Sequence, residues 1–423
     1  MRVRLLVTVT VLALLTAACT GSTAPGAPDA TDRIPVEETL LLGTPDGPLL
    51  VRAPVGSVLF DGTGAVSSLG GAWVLSAAAS NGSTVLETHE GTTGRILSTA
   101  TIPGELEARI VSESGRAVAM MEPLPEGWDP AVPFPRARTR IVVADPTGER
   151  ETISLNLRGN FEPEAFSTND DQLFLIQHLP AETPREYRVT VLDLARERLL
   201  PVFGPFKGPA ERMPGTRLSQ LLSPDAAQLY TLYTSSRPGY APHGAPVAND
   251  AAVSFVHVLS LRDGWAHCVG LPKSMWDRPS SEQAMATTPD GSYLFVIDAG
   301  RGVVAAMHTE SLKVRTTPID LSVEGDIGRT AAQVSSDGDT LLVSVAGPEG
   351  SIVTAFDAGT FEVVDTWRLE GIVSGLDFSS DGSSVYAAIE GRVVVLDARN
   401  GLEIGAVPIP TDETVMRVTA LAG

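Results

Sequence analysis

The clearest pattern in this chain is an alternation of apolar and polar residues in short runs near the C-terminus. Two segments, 334–369 and 378–409, share one order: a Ser-x-Asp-Gly turn, an alternating run, a short turn, a second run ending in Asp, a Gly-containing turn and a third run. Strict alternation predicts strands with one buried face, and Gly-containing turns between such runs predict antiparallel hairpins. With one further run before its turn, each segment predicts a unit of four antiparallel strands.

The same turn recurs earlier in the chain. Positions equivalent to its Asp are Leu69, Ser114, Asn169, Asp225, Asp290, Asp337 and Asp381, at intervals of 44 to 65 residues. Four-stranded repeats at this period are typical of a β-propeller, in which each repeat forms one blade. A β-sandwich with coincidental turns is the alternative, and it does not explain seven turns in phase. The turns are expected to be structural, because such side chains bond local backbone groups.

The two ends of the chain predict how the ring closes. Residues 415–423 stand where the innermost strand of an eighth unit belongs, and residues 38–62 have the spacing of its three outer strands. We therefore predict an all-β propeller with seven complete blades and a composite eighth. A seven-bladed ring with the N-terminal strands packed elsewhere is the alternative. Closure removes the free sheet edges that invite aggregation.

These repeats resemble a broad class of propellers that includes YVTN-type surface-layer repeats, WD40-like repeats and lactonase-like proteins. The resemblance covers about residues 38–423 and implies a propeller fold. It carries over no catalytic or binding residue, because the shared motifs are structural.

The first residues have the pattern of an export signal. Arg2 and Arg4 precede an apolar run over 5–15, which is too short to span a bilayer and is followed by small residues. The sequence Thr-Ala-Ala-Cys that ends at Cys19 resembles the lipobox of bacterial lipoproteins, although that family usually has Leu where Thr16 stands. In that family the cysteine becomes the mature N-terminus and carries lipid.

The resulting organisation has three parts. We predict a signal peptide over 1–18, a Gly/Ser/Thr/Ala/Pro tether over 19–37 and a propeller over 38–423, with lipidation at Cys19. Acyl chains anchor a soluble domain to a membrane, so the protein is expected on the outer face of the cell membrane. Plain secretion is the alternative.

Composition excludes several classes of function. The formal net charge is −20, and such a surface repels phosphates, which argues against nucleic acid as a partner. Cys268 stands alone once Cys19 is lipidated, so no intrachain disulfide and no Cys-x-x-Cys-His haem attachment are available. The sequence has neither a P-loop nor a Gly-x-Ser-x-Gly motif, and no cofactor is predicted.

Long connections are concentrated in consecutive blades. Insertions at 122–140, 178–187 and 234–250, and links at 204–216 and 270–283, are all expected on one face. Together these segments carry no net charge, although the protein is strongly acidic. Long loops on a rigid scaffold commonly bind partners, and aromatic and basic residues are favoured in interfaces. The candidate binding residues are Trp128, Phe134, Arg136, Arg138, Tyr187, Arg237, Tyr240, His243, Trp276 and Arg278.

Two functions remain open from the sequence. The first is a binding module that holds an envelope protein or a polysaccharide through these loops. The second is a hydrolase acting on a lactone or sugar at the axial channel. The resemblance to lactonase-like propellers implies a cation held there by acidic residues, but no residue of this sequence is matched to that role by a motif. The concentration of long loops in one sector favours binding, and no catalytic residue is predicted. A neutral reading is that the loops only decorate the rim.

Two histidines and a cysteine in the second half of the chain are potential soft metal ligands. His257, His267 and Cys268 lie close in sequence, but no fourth ligand is apparent. We therefore expect a packed thiol and half-exposed histidines, and predict no metal site.

Overall fold

Short alternating runs pair into four-stranded sheets throughout the described chain. The structure is a computed structural model, and it describes residues 37–128, 132–204, 212, 213, 215–235, 253–276, 278–321, 325–409 and 414–421. These residues form thirty-two strands in eight antiparallel sheets. Two short 3-10 helices, Lys273–Met275 and Ser280–Glu282, lie between the fourth and fifth complete blades. Among the described residues, no helix has the length and hydropathy needed to cross a membrane.

Each complete blade consists of four consecutive strands, named A to D from the axis outward. The strands of blade 8 other than its A strand are β1 (Thr39–Gly43), β2 (Pro48–Arg52) and β3 (Ser57–Asp61). Blades 1 to 3 contain β4 (Val66–Ser67), β5 (Trp73–Ser80), β6 (Ser83–Glu90), β7 (Ile96–Pro103), β8 (Glu107–Val111), β9 (Val118–Met121), β10 (Arg138–Ala144), β11 (Ile153–Arg158), β12 (Asn160–Phe166), β13 (Gln172–Leu179), β14 (Glu186–Asp193) and β15 (Arg198–Pro201).

The remaining blades follow the same order. Blades 4 and 5 contain β16 (Thr216–Leu222), β17 (Gln228–Ser235), β18 (Val253–Ser260), β19 (Ala266–Gly270), β20 (Gln283–Thr287), β21 (Tyr293–Asp298), β22 (Val303–His308) and β23 (Val314–Pro318). Blades 6 and 7 and the A strand of blade 8 contain β24 (Arg329–Val334), β25 (Thr340–Gly347), β26 (Gly350–Asp357), β27 (Val363–Leu369), β28 (Gly375–Phe378), β29 (Ser384–Ile389), β30 (Arg392–Asp397), β31 (Glu403–Pro408) and β32 (Arg417–Leu421).

Blade 8 joins the two ends of the chain. β32 is its innermost strand and pairs antiparallel with β1, so that Leu421 lies opposite Thr39 and Arg417 opposite Gly43. β2 and β3 complete the sheet. The predicted composite blade is therefore confirmed, and the seven-bladed alternative is wrong.

A buried carboxylate reinforces this closure. Glu38 is 4% exposed. Its carboxylate accepts a hydrogen bond from the Tyr386 hydroxyl at 2.7 Å and another from the Ser380 backbone N–H at 3.1 Å. Both donors belong to blade 7, so the residue just before β1 is bonded to the neighbouring blade as well as to its own.

The hydrophobic core lies between neighbouring blades. Inner strands are covered on both faces, so β29 is buried at every position, whereas the outer strand β11 alternates between half-buried and exposed positions. One cluster between blades 7 and 8 brings Leu40 of β1 against Tyr386 of β29. Since each blade relies on two neighbours to cover its faces, a closed ring is the arrangement that leaves no blade uncovered.

The recurring Ser-x-Asp-Gly turn is a hydrogen-bonded structural unit. In blade 6 the Ser335 hydroxyl donates to the Asp337 carboxylate at 2.5 Å and accepts from the Thr340 backbone N–H at 2.9 Å. The same pair of bonds is made by Ser379 in blade 7 and by Thr288 in blade 5. These bonds close the A–B turn and explain why the motif recurs in blades 5 to 7.

Candidate functional site

The two faces of the propeller differ in what they carry. Because successive strands are antiparallel, the A–B and C–D turns lie on one face, here named the turn face, and the B–C and D–A connections lie on the other, here named the loop face. The chain enters the propeller on the turn face, where the Glu38 carbonyl accepts from the Ala53 N–H in the C–D turn of blade 8 at 2.9 Å. The described parts of the long connections, which include the B–C loops of blades 2 and 3 and the D–A link between blades 4 and 5, therefore belong to the loop face.

The B–C loop of blade 2 builds a small aromatic patch, defined here as Trp128, Val132 and Phe134. The two rings meet edge to face, with centroids 5.0 Å apart and an interplanar angle of 87°. The indole N–H of Trp128 donates to the Val132 carbonyl at 2.8 Å, which fixes the ring. Val132 is 49% exposed and both rings are half-buried. The patch is therefore apolar, partly open to solvent and held in one conformation.

Hydrogen bonds to blade 3 hold this loop in place. The buried Asn160 side chain donates to the carbonyls of Phe134 and Ala181, at 2.8 and 3.1 Å. The Arg136 guanidinium stacks 5.2 Å from the Phe134 ring centroid and lies 3.3 Å from the Glu162 carboxylate on the innermost strand of blade 3. The Arg136 side chain is only 12% exposed. Arg136 therefore fastens the patch to the wall of the axial channel.

Tyr187 and Arg138 do not extend the patch. Tyr187 belongs to β14, is 8% exposed and packs 5.2 Å from the Tyr233 ring, while its backbone exchanges two hydrogen bonds with Met213. The expectation that the loop presents Tyr187 is therefore corrected, since it is a core residue. Arg138, in β10, donates to the side chain and the carbonyl of Asn156 on the adjacent strand, at 2.9 and 3.1 Å.

The link between blades 4 and 5 forms a separate feature. The Trp276 indole N–H donates to the Leu271 carbonyl at 2.8 Å, and the Lys273 ammonium lies 5.8 Å from the Trp276 ring. Arg278 is hydrogen-bonded to Glu282 and lies 3.7 Å from the fully buried Asp298, so its role here is internal. The other candidate binding residues, Arg237, Tyr240 and His243, lie outside the described residues.

A polar cavity opens at the axis on the loop-face side. Its volume is about 510 Å³, and the innermost strands of blades 4 to 8 line it together with the residues just before them. This volume is in the range of ligand pockets in general. Three charged residues line the described part of the cavity, namely Arg329, Asp377 and Arg417, among mostly Ser, Thr, Gln and small apolar residues.

Asp377 is the carboxylate of this cavity. It accepts hydrogen bonds from the Gln333 side chain at 2.5 Å, from the Ala420 N–H at 2.8 Å and from the Phe378 N–H at 2.9 Å. Burial raises the pKa of Asp377 to about 6, and the three donors together with the charge of Arg417 oppose that rise. A carboxyl group that titrates near neutrality inside a cavity is a recognised feature of functional sites.

The arginines of the channel fall into two groups. On the blade 2 to 4 side each has a carboxylate close by: Arg109 lies 3.3 Å from Glu107, and Arg217 lies 3.4 Å from Glu164. On the blade 6 to 8 side Arg329 and Arg417 have no carboxylate within ion-pair distance among the residues that the structure describes. Burial lowers the pKa of both guanidinium groups. Asp377 and Glu113 attract Arg417 electrostatically, whereas the Arg329 guanidinium donates to the carbonyls of Ser374 and Met416.

Arg329, Asp377 and Arg417 were not predicted as site residues. Arg329 and Arg417 are the first residues of their innermost strands, "RTAAQV" and "RVTAL", and Asp377 lies within "GLDF". A charged residue at or inside an innermost strand was the signal available in the sequence.

The His/Cys cluster is part of the fold. Cys268 lies in the hydrophobic core and opposite His257 in the β18–β19 pair. His257 is 3% exposed, which corrects the expectation of a half-exposed ring, and burial with the nearby His267 lowers its pKa to about 4. His267 is half-buried. Across the described ranges, no group of three or more His, Cys, Asp or Glu residues is arranged to hold a metal ion.

Comparison with known proteins identifies the fold. No protein-family model and no curated protein matches the sequence. Among solved structures, AztD of Citrobacter koseri is 12% identical, with a TM-score of 0.53 over 92% of this chain and 99% of that one. A periplasmic gluconolactonase of Pseudomonas aeruginosa, PpgL, is 15% identical, with a TM-score of 0.43 over 92% and 99%. At 12% identity, the AztD match shows a shared fold and nothing about activity.

Fold and site together define the class of protein. The chain is an eight-bladed β-propeller with four-stranded antiparallel blades, similar in fold to AztD of Citrobacter koseri. Its loop face carries both the aromatic patch and the mouth of the axial cavity.

Proposed function

We propose that this protein is an extracytoplasmic lipoprotein that binds a partner protein on its loop face. The observation that carries the proposal is the aromatic patch: Trp128 and Phe134 are locked edge to face, and Val132 is 49% exposed beside them. Rigid aromatic anchors with an adjoining apolar residue are typical of the energetic centre of a protein interface. Binding to a patch that is already ordered costs little conformational entropy.

A protein suits this patch better than a polysaccharide does. The indole N–H of Trp128 is already bonded to the Val132 carbonyl, and the Arg136 guanidinium is engaged with Glu162, so neither is offered to sugar hydroxyls. What remains accessible is largely apolar surface. Such a surface favours a partner that buries an apolar side chain of its own.

The propeller begins at Glu38 on the turn face, and the aromatic patch belongs to a B–C loop on the opposite face. The proposed lipid at Cys19 is joined to the propeller by the 19–37 tether.

The proposed function is tested by crosslinking in intact cells followed by affinity capture. Wild type is compared with a Trp128→Ala/Phe134→Ala variant, and Val55→Ala serves as the matched control because Val55 is 73% exposed on the turn face. We expect a protein captured by wild type and by the control and lost from the patch variant. Equal capture by all three would refute the patch, and capture of a polysaccharide would replace the partner class.

The lipid anchor has its own test. Cys19→Ala should move the protein from the membrane fraction to the soluble extracytoplasmic fraction, because the variant lacks the only residue proposed to carry lipid. Membrane retention of Cys19→Ala would contradict the lipoprotein proposal.

A hydrolase with its site at the axial cavity is the second candidate. It is favoured by Asp377, a carboxyl with a pKa of about 6 in a ligand-sized cavity that also contains Arg417. A screen of lactones and glycosides with wild type and Asp377→Asn tests it. Turnover by wild type that Asp377→Asn abolishes would establish the hydrolase, and no turnover by either would remove it.

A further inference from the structure

The outer strand of blade 1 differs from the outer strands of the other blades. β7 has eight residues and contains no Asp, Glu, Lys or Arg. The other outer strands have four to seven residues, and all except the largely buried β19 contain a charged residue. Short length and charge are common means of keeping an edge strand from pairing with another chain. β7 has neither of these protections.

The outer edge of β7 presents backbone hydrogen-bonding groups to solvent. β7 is the last strand of its sheet, and no described strand pairs with its outer edge. The Gly104 N–H donates to the Gly82 carbonyl at 2.8 Å, so the even-numbered residues from 98 to 102 direct their backbone groups toward β6. Thr99 and Thr101 therefore direct their N–H and C=O groups outward. Such an edge is a template for the addition of a further strand.

The side chains of β7 also suit strand pairing. Ile96 and Leu97 are 52% and 39% exposed, and Thr99 and Thr101 are exposed as well. β-branched residues are favoured in paired strands, and apolar side chains gain from burial against a cross-strand neighbour. A strand added to this edge would therefore gain side-chain contacts in addition to backbone hydrogen bonds.

We propose that two copies of this protein pair through β7, antiparallel and about a two-fold axis at Ala100. Thr99 of each copy then lies opposite Thr101 of the other, and each such pair exchanges two backbone hydrogen bonds. A register centred on Thr101 would instead place Thr99 opposite Pro103, which has no N–H to donate. The contact is isologous and closes after two copies. It uses none of the aromatic patch and does not rest on the proposed function.

Charge favours a second copy as the occupant of this edge. The register brings Arg95, just before β7, opposite Glu105 of the second copy, just after it. The Arg95 side chain is 69% exposed and lies 3.6 Å from Glu90, and the exposed Glu105 accepts from the Gly82 N–H at 3.1 Å. Exposed contacts of this kind are weak, so both side chains can turn to the second copy. Opposite charges thus meet at both ends of the pairing, whereas a net charge of −20 opposes contact between copies elsewhere.

Disulfide crosslinking of the full chain in intact cells tests the pairing. In the proposed register the two copies of Ala100 form a non-hydrogen-bonded pair with Cα atoms about 4.5 Å apart, which suits a disulfide. Ala100→Cys should therefore give a covalent dimer under mild oxidation. Ser98→Cys should give at least about tenfold less, because its two copies would lie about 13 Å apart. Thr316→Cys is the matched control on an exposed position of β23, and all three variants retain the native cysteines.

Two charge variants test the same register without a crosslink. Thr99→Lys/Thr101→Lys would place lysines directly opposite each other at both pairs, whereas Thr99→Lys/Thr101→Glu would place opposite charges there. Both variants change only exposed side chains. Sedimentation velocity of the purified full chain should show a wild-type dimer at about 100 µM, since a small interface gives weak association. The Lys/Lys variant should dimerise about tenfold more weakly, and the Lys/Glu variant should dimerise at least as well as wild type.

Covalent dimer from Ala100→Cys, with little from Ser98→Cys or Thr316→Cys, supports the proposal. It is overturned if Ala100→Cys gives no more dimer than Thr316→Cys, or if wild type is a monomer at about 100 µM. Equal association of the two charge variants would also overturn it, because the register would then be wrong. An adduct of Ala100→Cys with a different protein in place of the dimer would assign this edge to that protein and overturn the pairing of two copies.

Discussion

Removal of the Glu38 carboxylate should destabilise the whole propeller. Glu38 is 4% exposed, and its two oxygens accept from the Tyr386 hydroxyl at 2.7 Å and the Ser380 N–H at 3.1 Å. Glu38→Ala would leave both donors without that acceptor, and Tyr386 is fully buried. A buried donor left unpaired costs about 1–3 kcal/mol, so the free energy of unfolding should fall by about 3 kcal/mol.

This loss can be converted into a melting temperature. At an unfolding entropy of about 2.1 cal/mol/K per residue, a propeller of this size has about 0.8 kcal/mol/K, so a loss of about 3 kcal/mol lowers Tm by about 4 °C. Glu37→Ala is the matched control, because the Glu37 side chain is 78% exposed and its ion pair with Arg52 is long at 3.9 Å. Such exposed pairs contribute about 0–1 kcal/mol.

Thermal unfolding followed by circular dichroism or calorimetry compares the variants. A double-mutant cycle with Tyr386→Phe isolates the hydroxyl–carboxylate bond, and we expect a coupling of about 1.5–3 kcal/mol. If Glu38→Ala melts at the same temperature as Glu37→Ala, the bonded closure between blades 7 and 8 is refuted.

Three further predictions concern stability. Gly401→Ala should lower the free energy of unfolding by about 2–4 kcal/mol, because φ at Gly401 is +65° and the new Cβ would clash with the Trp367 ring. Gly391→Ala is the control and should cost only about 1 kcal/mol, because φ is +74° there but no atom lies near the new Cβ. Urea unfolding compares the two variants. Ser335→Ala should cost about 1–2 kcal/mol in the same assay by breaking the blade 6 turn, and an unchanged midpoint would contradict it. Burial raises the pKa of Asp377 to about 6, so the native state binds the proton of this carboxyl more tightly than the unfolded state does. The contribution of Asp377 to the free energy of unfolding should therefore fall by about 3 kcal/mol as pH rises from about 4 to 6. Asp377→Asn should remove that part of the slope in urea melts at pH 4.5 and 7, and an identical slope in both proteins would contradict the shift.

The fold could be predicted from the sequence because its information is repeated. The same alternation of apolar and polar residues and a similar turn recur along the chain. Turns that match the motif poorly, such as those at Leu69 and Ser114, can therefore be recognised by their spacing from turns that match it well, such as those at Asp337 and Asp381. The composite blade followed from counting strands at the two ends. Closure through Glu38 and Tyr386 did not, because those residues are 348 positions apart.

The candidate site was only partly predictable. The loops were found from their length, but Tyr187 was assigned to a loop because the strand that contains it begins one residue earlier, at Glu186. Arg136 and Arg278 were expected as exposed contacts, yet their partners Glu162 and Asp298 come from other parts of the chain. Arg329 and Arg417 line one cavity only because innermost strands of separate blades converge at the axis.

Site-specific photocrosslinking in living cells tests whether a partner protein contacts the aromatic patch. A photoreactive amino acid is placed at Val132 on the loop face and, separately, at Val55 on the turn face, positions that are 49% and 73% exposed. A defined protein adduct that forms from Val132 and not from Val55 is the result that the account predicts. No adduct from Val132, or the same adduct from both positions, would contradict it.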